Sequence, residues 1–192
     1  MSEIRWWLVR HAPTRVRGAI GWTDIAADLS DRAALGRLRA LLPRQGALVS
    51  SDLRRAVETA DALGGDLIRL PHAPTLRELH FGAWEGRGFD EIGEAASRAF
   101  FADPGPATAP GGESLDMLTE RVAGCIEALC ADPPAADIVA ICHAGAIRAA
   151  LARFAGMGHR AALRLCIDPL SVTRLDRLTG GQWRVERINH RP

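Results

Sequence analysis

The sequence contains no lysine, so its 24 strongly basic side chains are all arginines. A Schiff-base lysine and the lysine of a phosphate-binding P-loop are therefore excluded. With 23 acidic residues the formal net charge is only +1 at pH 7, which gives no general attraction to nucleic acid or to an anionic membrane surface. Any anion site in this chain must be built from arginine, histidine or backbone N–H groups.

Long apolar runs and paired cysteines are also missing. No stretch approaches the roughly 18 consecutive apolar residues that a membrane-spanning helix needs, and residues 1–5 lack the pattern of a signal peptide. None of the four cysteines forms a C-x-x-C pair, which argues against a zinc ribbon or a thioredoxin-like centre. We therefore expect a cytoplasmic protein with free thiols that binds neither membrane nor nucleic acid.

What the sequence does contain is typical of one globular domain. It has 192 residues, of which 47% are hydrophobic and 24% charged. A chain of this size and composition can bury a core without disulfide or metal staples. We predict a single domain over residues 1–192, with a small cap or lid segment at about residues 79–113.

Short apolar runs bounded by polar or turn residues recur along the chain and predict strands. The run from Ile138 to Cys142 is apolar throughout, as expected for a parallel strand buried on both faces. The predicted strands are Ile4–Val9, Ala47–Ser50, Leu67–Leu70, Thr75–Leu79, Asp137–Cys142, Ser171–Leu175 and Trp183–Ile188.

Apolar residues at helical spacing predict helices between these strands. Asp52 is the candidate N-cap of the second helix and Ser114 that of the longest one. The predicted helices are Asp31–Leu42, Asp52–Leu63, Phe89–Phe101, Leu115–Leu129 and Gly145–Phe154. This alternation predicts the α/β class, as a three-layer α/β/α architecture with a mostly parallel sheet.

Ligands of such sheets bind beyond the carboxyl ends of the strands, and here several charged side chains follow the predicted strands directly. Two arginine forks suit the oxygens of a phosphoryl group. Backbone N–H groups at the start of a helix also bind anions. Two imidazoles and one carboxylate complete the set. The residues concerned are Arg10, His11, Arg55, Glu78, His143 and Gly145.

Five segments resemble, in order along the chain, the motifs of the histidine phosphatase superfamily, which includes the cofactor-dependent phosphoglycerate mutases. The first three are similar to R-H-G-[ED]-T, S-S-x-L-x-R-A-x-Q-T-A and L-x-E-x-x-x-G-x-W-E-G. One such motif alone is weak, whereas five in order over nearly the whole chain are specific. The segments are Leu8–Thr14, Ser50–Ala60, Leu76–Gly86, Gly111–Ser114 and Ile141–Arg148.

The resemblance implies a phosphoglycerate mutase-like fold and a role for each matched residue. His11 matches the nucleophile that becomes phosphohistidine, and Glu78 matches the proton donor to the leaving group. Arg10, Arg55 and His143 match the groups that hold the phosphoryl oxygens. Neither a metal ion nor a cofactor is implied. The neighbouring arginine charges should lower the pKa of His11 and keep its imidazole neutral.

Further residues are assigned to substrate binding, namely Thr14, Arg17, Trp22 and Gly145. Arg17 stands where family members often have asparagine, and it either contacts phosphate or lies in solvent. Glu85 competes with Glu78 as the acid, or else anchors the cap through a salt bridge or a backbone bond. His80 either lines the substrate cavity or faces solvent.

The segment after Glu78 bears on the reaction. Phosphoglycerate mutases carry E-R-H-Y-G there, whereas Leu79 and Phe81 replace the arginine and tyrosine that grip phosphoglycerate. We therefore expect hydrolysis by water: a metal-independent phosphomonoesterase acting on a small-molecule phosphate ester. A mutase, a phosphoprotein phosphatase and a non-catalytic phosphate binder are the alternatives.

The substrate and the assembly are less constrained by the sequence. Residues 81–85, 112–114 and 120–122, together with residues 152–157, are similar to segments of the α-ribazole phosphatases of cobalamin synthesis. α-Ribazole 5′-phosphate is therefore the candidate substrate. The oligomeric state is left open, with a dimer as one option.

Overall fold

A computed structural model describes residues 3–192, apart from the side chain of Phe89. It contains one sheet of the strands β1 (Ile4–Arg10), β2 (Ala47–Ser50), β3 (Ile68–Arg69), β4 (Asp137–Cys142), β5 (Val172–Arg177) and β6 (Trp183–His190). Their order is β3-β2-β4-β1-β5-β6. The four strands from β3 to β1 are parallel to one another, while β5 runs antiparallel to both β1 and β6. The predicted, mostly parallel sheet is confirmed.

Helices occupy the connections between the strands, except the short turn between β5 and β6. They are α1 (Arg32–Leu41), α2 (Arg54–Leu63), α3 (Phe89–Ile92), α4 (Glu94–Ala102), α5 (Leu115–Ala131), α6 (Ala144–Phe154) and α7 (His159–Leu163), with 3₁₀ turns at Pro74–Leu76 and Gly82–Trp84. Among the described residues, none of these helices has both the length and the apolar character needed to cross a membrane.

The central strands β1, β2 and β4 are buried on both faces, and their side chains alternate between the two faces along each strand. In β1, Trp6 and Leu8 join the hydrophobic cluster that includes α5 and α6. Trp7 and Val9 join a second cluster, which includes α1 and α2. Neighbouring residues of one strand therefore pack into opposite helical layers, which gives the predicted three layers.

Two predictions about the region around α2 are wrong. Asp52 does not cap this helix, because its carboxylate binds Arg77 through two hydrogen bonds of 2.7 and 2.5 Å. The N–H of Arg54 instead donates to Asp24 Oδ1 at 2.6 Å. Thr75–Leu79 is not a strand, since Pro74 fixes φ and starts the 3₁₀ turn at Pro74–Leu76.

The predicted helix Phe89–Phe101 is divided into α3 and α4. The division falls at Gly93, whose φ of +89° is incompatible with a continuous right-handed helix. The short helix α7 was not predicted at all. By contrast, Ser114 caps α5 as expected, with its hydroxyl accepting from the Met117 N–H at 3.2 Å.

The predicted cap segment, residues 79–113, contains the second 3₁₀ turn together with α3 and α4. Trp84 and Phe100 anchor it in the core, with ring centroids 5.6 Å apart. Backbone hydrogen bonds join it to the loop after β1, from Ala19 N–H to Arg87 O at 2.9 Å and from Gly86 N–H to Ala19 O at 3.0 Å. The segment is therefore packed against the main body at several points.

Candidate active site

Three strand ends bring the predicted site residues together. β1 ends at Arg10 with His11 directly after it, Arg55 lies in the first turn of α2, and His143 is the N-cap of α6. Because β4 lies between β2 and β1, these ends are neighbours. The rings of His11 and His143 have centroids 5.0 Å apart.

The hydrogen bonds of His11 fix its tautomer. Nδ1 lies 2.6 Å from the carbonyl oxygen of Ala12, which can only accept, so Nδ1 carries the proton. Arg55 Nε, which can only donate, lies 3.2 Å from His11 Nε2. The pKa of His11 falls to about 3 because of burial and the charge of Arg55, with a smaller effect of Arg10. The imidazole is therefore neutral near pH 7, with the lone pair of a nucleophile on Nε2.

Carbonyl oxygens hold the two arginines in place. Arg55 donates to Thr23 O at 2.9 Å and to Gly21 O at 2.6 Å, while Arg10 donates to Ile167 O at 2.5 Å. Burial lowers the pKa of both arginines, yet a guanidinium stays protonated in proteins. The hydrogen-bond acceptors are neutral carbonyl groups, so neither guanidinium is held by a direct carboxylate fork, although Glu78 is near enough to raise the pKa of both.

Several buried polar atoms at this point have no hydrogen-bond partner among the described residues. They are Arg10 Nε and both ring nitrogens of His143. His143 is completely buried, and burial with the nearby positive charges, that of Arg55 among them, holds its pKa well below the usual value. An unpaired buried polar group costs about 1–3 kcal/mol and is rare in native proteins. Arg10 Nε and the one protonated ring nitrogen of His143 are donors that fit an oxyanion such as a phosphoryl group.

Glu78 approaches the same place from the cap side and is held by backbone N–H groups. Its Oε1 accepts from Leu79 at 2.8 Å and its Oε2 from Gly145 at 3.1 Å. A Cβ at Gly145 would lie only 1.9 Å from Glu78 Oε1, so any side chain there would force the Glu78 carboxyl group to move. Gly145 was predicted to bind substrate, but its N–H donates to Glu78 in this structure. The group bound at the start of α6 is thus a carboxyl side chain of the protein itself.

Glu85, the alternative acid, has a different role. Its carboxylate accepts hydrogen bonds from the N–H groups of Gly21, Trp22, Thr23 and Phe81 and from the Thr23 hydroxyl, at 2.6–3.1 Å. Burial raises its pKa, but these bonds outweigh that effect and lower it. Glu85 is therefore an ionised anchor for loop 21–23, whose carbonyl oxygens bind Arg55. Glu78 is left as the candidate acid.

Trp22 and His80 lie beside Glu78. The indole Nε1–H of Trp22 donates to Glu78 O at 2.8 Å. Its ring centroid is 4.7 Å from that of His80 and 4.7 Å from the Arg77 guanidinium carbon. Trp22 is 37% exposed, so the pair presents aromatic surface next to the candidate acid.

Thr14 and Arg17 are not brought into this cluster. The Thr14 hydroxyl lies 3.4 Å from Val16 O, and Arg17 is exposed. Within residues 3–192, the structure describes no contact from either side chain to His11 or Arg55. Their assignment to substrate binding stays a prediction.

The sequence reading missed two supporting side chains. Thr59 Oγ1 accepts from the N–H of Ala12 at 2.9 Å and donates to Arg55 O at 2.7 Å, which ties the residue after His11 to α2. Arg121 of α5 binds the carbonyl oxygen of Glu78 at 2.8 Å. Thr59 lies within the second motif and Arg121 within residues 120–122, which were noted above only as resemblances.

Comparisons with known proteins agree with this geometry. A family model described as the histidine phosphatase superfamily (branch 1) matches residues 6–191. The metal-independent phosphoserine phosphatase of Arabidopsis thaliana is 29% identical over 154 residues, covering 74% of this chain and 65% of that protein. The glucosyl-3-phosphoglycerate phosphatase of Mycolicibacterium vanbaalenii is 34% identical over 161 residues, covering 77% and 69%. The chain thus spans about two thirds of the length of these relatives.

Solved structures extend the likeness to almost the whole chain. A mycobacterial glucosyl-3-phosphoglycerate phosphatase superposes with a TM-score of 0.84 at 26% identity, covering 97% of this chain and 99% of that one. The α-ribazole phosphatase of Shigella flexneri gives a TM-score of 0.81 at 24% identity, covering 98% and 97%. At that identity the second likeness shows the fold alone. Both confirm the predicted fold.

Proposed function

The chain belongs to the histidine phosphatase superfamily and has its phosphoglycerate mutase-like fold, and we propose that it hydrolyses small-molecule phosphate monoesters through a phosphohistidine at His11. One observation carries the proposal. The lone pair of His11 Nε2 accepts from Arg55 Nε in this structure and is released when Arg55 turns to the phosphoryl oxygens, and the unpartnered nitrogens of Arg10 and His143 lie at the same strand ends. A nucleophile and an oxyanion site are thereby combined.

The first step transfers the phosphoryl group to the enzyme. His11 Nε2 attacks phosphorus, a P–N bond forms and the ester P–O bond breaks. The leaving oxygen takes a proton from the carboxylic acid of Glu78. Arg10, Arg55 and His143 stabilise the charge on the phosphoryl oxygens during the transfer.

The second step releases inorganic phosphate. Water attacks the phosphorus of phospho-His11, the P–N bond breaks, and the Glu78 carboxylate takes a proton from the attacking water. His11 returns to its neutral form and Glu78 to its acid form, so the cycle is closed. Because Arg10 and Arg55 supply the positive charge, we propose that the reaction needs no metal ion.

α-Ribazole 5′-phosphate is the substrate that we propose to test first. Its planar base could pack on the aromatic surface of Trp22 and His80 beside Glu78. The curated relatives support two other esters, phosphoserine and glucosyl-3-phosphoglycerate, in which a carboxylate accompanies the phosphate. We further propose that residues 79–113 act as a cap that closes one side of the site.

The experiment is phosphate release from these three esters and from p-nitrophenyl phosphate, in the presence of EDTA. We expect turnover of at least one natural ester in EDTA, with preference for α-ribazole 5′-phosphate. His11→Ala should lower the rate by about 10⁴-fold, since the nucleophile is removed. Activity retained in His11→Ala would contradict the mechanism. Activity confined to phosphoserine or glucosyl-3-phosphoglycerate would keep the mechanism and reject the ribazole substrate.

A further inference from the structure

Arg121 of α5 uses all five N–H groups of its guanidinium in hydrogen bonds to one part of the chain. Nε and Nη2 donate to the two carboxylate oxygens of Glu113 at 2.6 and 2.8 Å. Nη1 donates to the carbonyl oxygens of Thr75 and Arg77 at 2.9 and 2.8 Å, and Nη2 also donates to Glu78 O at 2.8 Å. Arg121 thus binds three carbonyl groups within four residues, including that of the candidate acid.

Glu113 binds the backbone on the other side of Glu78, at His80. Its Oε2 accepts from the His80 N–H at 3.3 Å, and its own N–H donates to His80 O at 2.9 Å. Residues 77–81 belong to no helix or strand, so no ladder of backbone bonds fixes them. Arg121 and the Trp22 indole N–H both donate to Glu78 O, and Arg121 with Glu113 also binds the backbone on either side of it.

The strength of the pair follows from its burial. The side chains of Arg121 and Glu113 are only 18% and 10% exposed, and the two parallel N–H···O bonds are charge-assisted. Such a fork holds its partners in one geometry. A displacement of about 1 Å at a reacting group can lower the rate about 100-fold. A shift of the Glu78 backbone would therefore slow proton transfer from its carboxyl group.

We propose that Arg121, held by Glu113, is a positioning residue that sets Glu78 for proton transfer to the leaving group. The inference rests on the proposed function, in which Glu78 is the acid. Neither Arg121 nor Glu113 needs to touch the substrate. Both act through the backbone on either side of Glu78.

The test uses the dependence of the rate on the leaving group. An alkyl ester such as phosphoserine needs protonation of its leaving oxygen, whereas p-nitrophenolate leaves with little help. Arg121→Lys keeps the charge but loses the planar fork. We expect kcat/KM to fall about 10- to 100-fold for phosphoserine and less than about threefold for p-nitrophenyl phosphate.

A double-mutant cycle with Glu78→Gln shows whether the effect passes through Glu78. In the Glu78→Gln background, Arg121→Lys should cause no further loss with phosphoserine. Equal losses on both esters, repeated in both backgrounds, would show a merely structural role and overturn the proposal. If Glu78→Gln alone slows both esters equally, the acid assignment itself fails, and the positioning role fails with it. The Glu78→Gln variant alone reveals this outcome, so a failure of the acid assignment can be distinguished from a failure of the positioning role of Arg121.

Arg174→Lys is the matched control. Arg174 forms a similar fork with Asp176 in β5, and its side chain is 17% exposed, close to the value for Arg121. It should leave the ratio of the two kcat/KM values unchanged. If Arg121→Lys does not fold, Glu113→Gln is the second variant, since it keeps an acceptor for His80 but weakens the fork. A folded Glu113→Gln with an unchanged ratio would overturn the proposal.

Discussion

The two ends of the parallel strands use arginine in opposite ways. At the amino end, Arg5 binds Asp137 through a carboxylate fork, with one bond at 2.7 Å. Next to it, Arg174 and Arg184 donate to the fully buried Asp176 at 2.8 and 2.7 Å. Burial raises the pKa of Asp176, but the bonds from these arginines outweigh it and lower the pKa. Each arginine here is neutralised by a carboxylate.

At the carboxyl end the acceptors are neutral. Arg10 and Arg55 donate to the carbonyl oxygens of Ile167, Gly21 and Thr23. These bonds fix the direction of each guanidinium and leave its charge available to an incoming anion. The hydrogen-bond partner, and not the arginine itself, distinguishes an arginine that stabilises the fold from one that is available to bind phosphate.

The carboxyl groups at the two ends of the parallel strands also differ in their hydrogen-bond partners. Asp137 and Asp176 are bound by arginines, whereas Glu78 is bound by the N–H groups of Leu79 and Gly145. The hydrogen bonds described for Glu78 thus come from backbone N–H groups and not from an arginine side chain, which fits its proposed role as the proton donor.

Replacing one arginine by lysine at each end of the parallel strands tests this difference, and it is the test with the largest expected effect. Arg55→Lys should lower kcat/KM for p-nitrophenyl phosphate about 10²- to 10³-fold, because lysine lacks the fork that orients the charge. Arg174→Lys should leave kcat/KM within about threefold and lower the stability by about 1–2 kcal/mol. Steady-state kinetics and urea unfolding measure both effects. Equal kinetic losses in the two variants would abolish the distinction.

Glycine-to-alanine variants test how Glu78 is held. In Gly145→Ala the new methyl group takes the place of Glu78 Oε1, so the acid must move. We expect kcat/KM for phosphoserine to fall about 10- to 100-fold, with a smaller loss for p-nitrophenyl phosphate. Gly124→Ala in α5 is the control, since nothing lies within 4 Å of its Cβ. An unaltered rate in Gly145→Ala would mean that Glu78 is not used in this position.

The buried histidine makes stability depend on pH. The pKa of His11 is about 3 in the fold and 6.5 as its ordinary value, so the unfolded chain binds the extra proton. Stability is therefore lost as the pH falls from about 6.5 towards 3. Between pH 7 and pH 5 this amounts to about 2 kcal/mol for one histidine. His11→Gln should lose about 2 kcal/mol less than the natural sequence over this interval in urea unfolding. Identical losses would show that His11 is not held neutral by the fold.

The sequence predicted the residues that stand directly after strands, because a strand end is marked by a local change from apolar to charged residues. Arg10, His11 and His143 are examples, and their meeting follows from the parallel sheet alone. Glu78 follows no strand; it was predicted through its motif, and the strand proposed around it does not exist.

The supporting groups could not be predicted in the same way. The acceptors of Arg55 are the carbonyl oxygens of Gly21 and Thr23, and every residue carries a carbonyl group. Which ones point at Arg55 depends on Glu85, which is more than 60 positions away and fixes loop 21–23. Asp52 has the local pattern of a helix cap, but its tertiary partner Arg77 decides its role.

The central step of the proposed reaction is the transfer of the phosphoryl group to His11. During turnover of p-nitrophenyl phosphate, rapid quenching in alkaline denaturant preserves a phosphohistidine for mass spectrometry of the peptide that contains residue 11. We predict an acid-labile phosphoryl group on His11 within the first turnover, and its loss in His11→Ala. A phosphoryl group on another residue, or none in an enzyme that releases a stoichiometric burst of p-nitrophenol, would contradict the account.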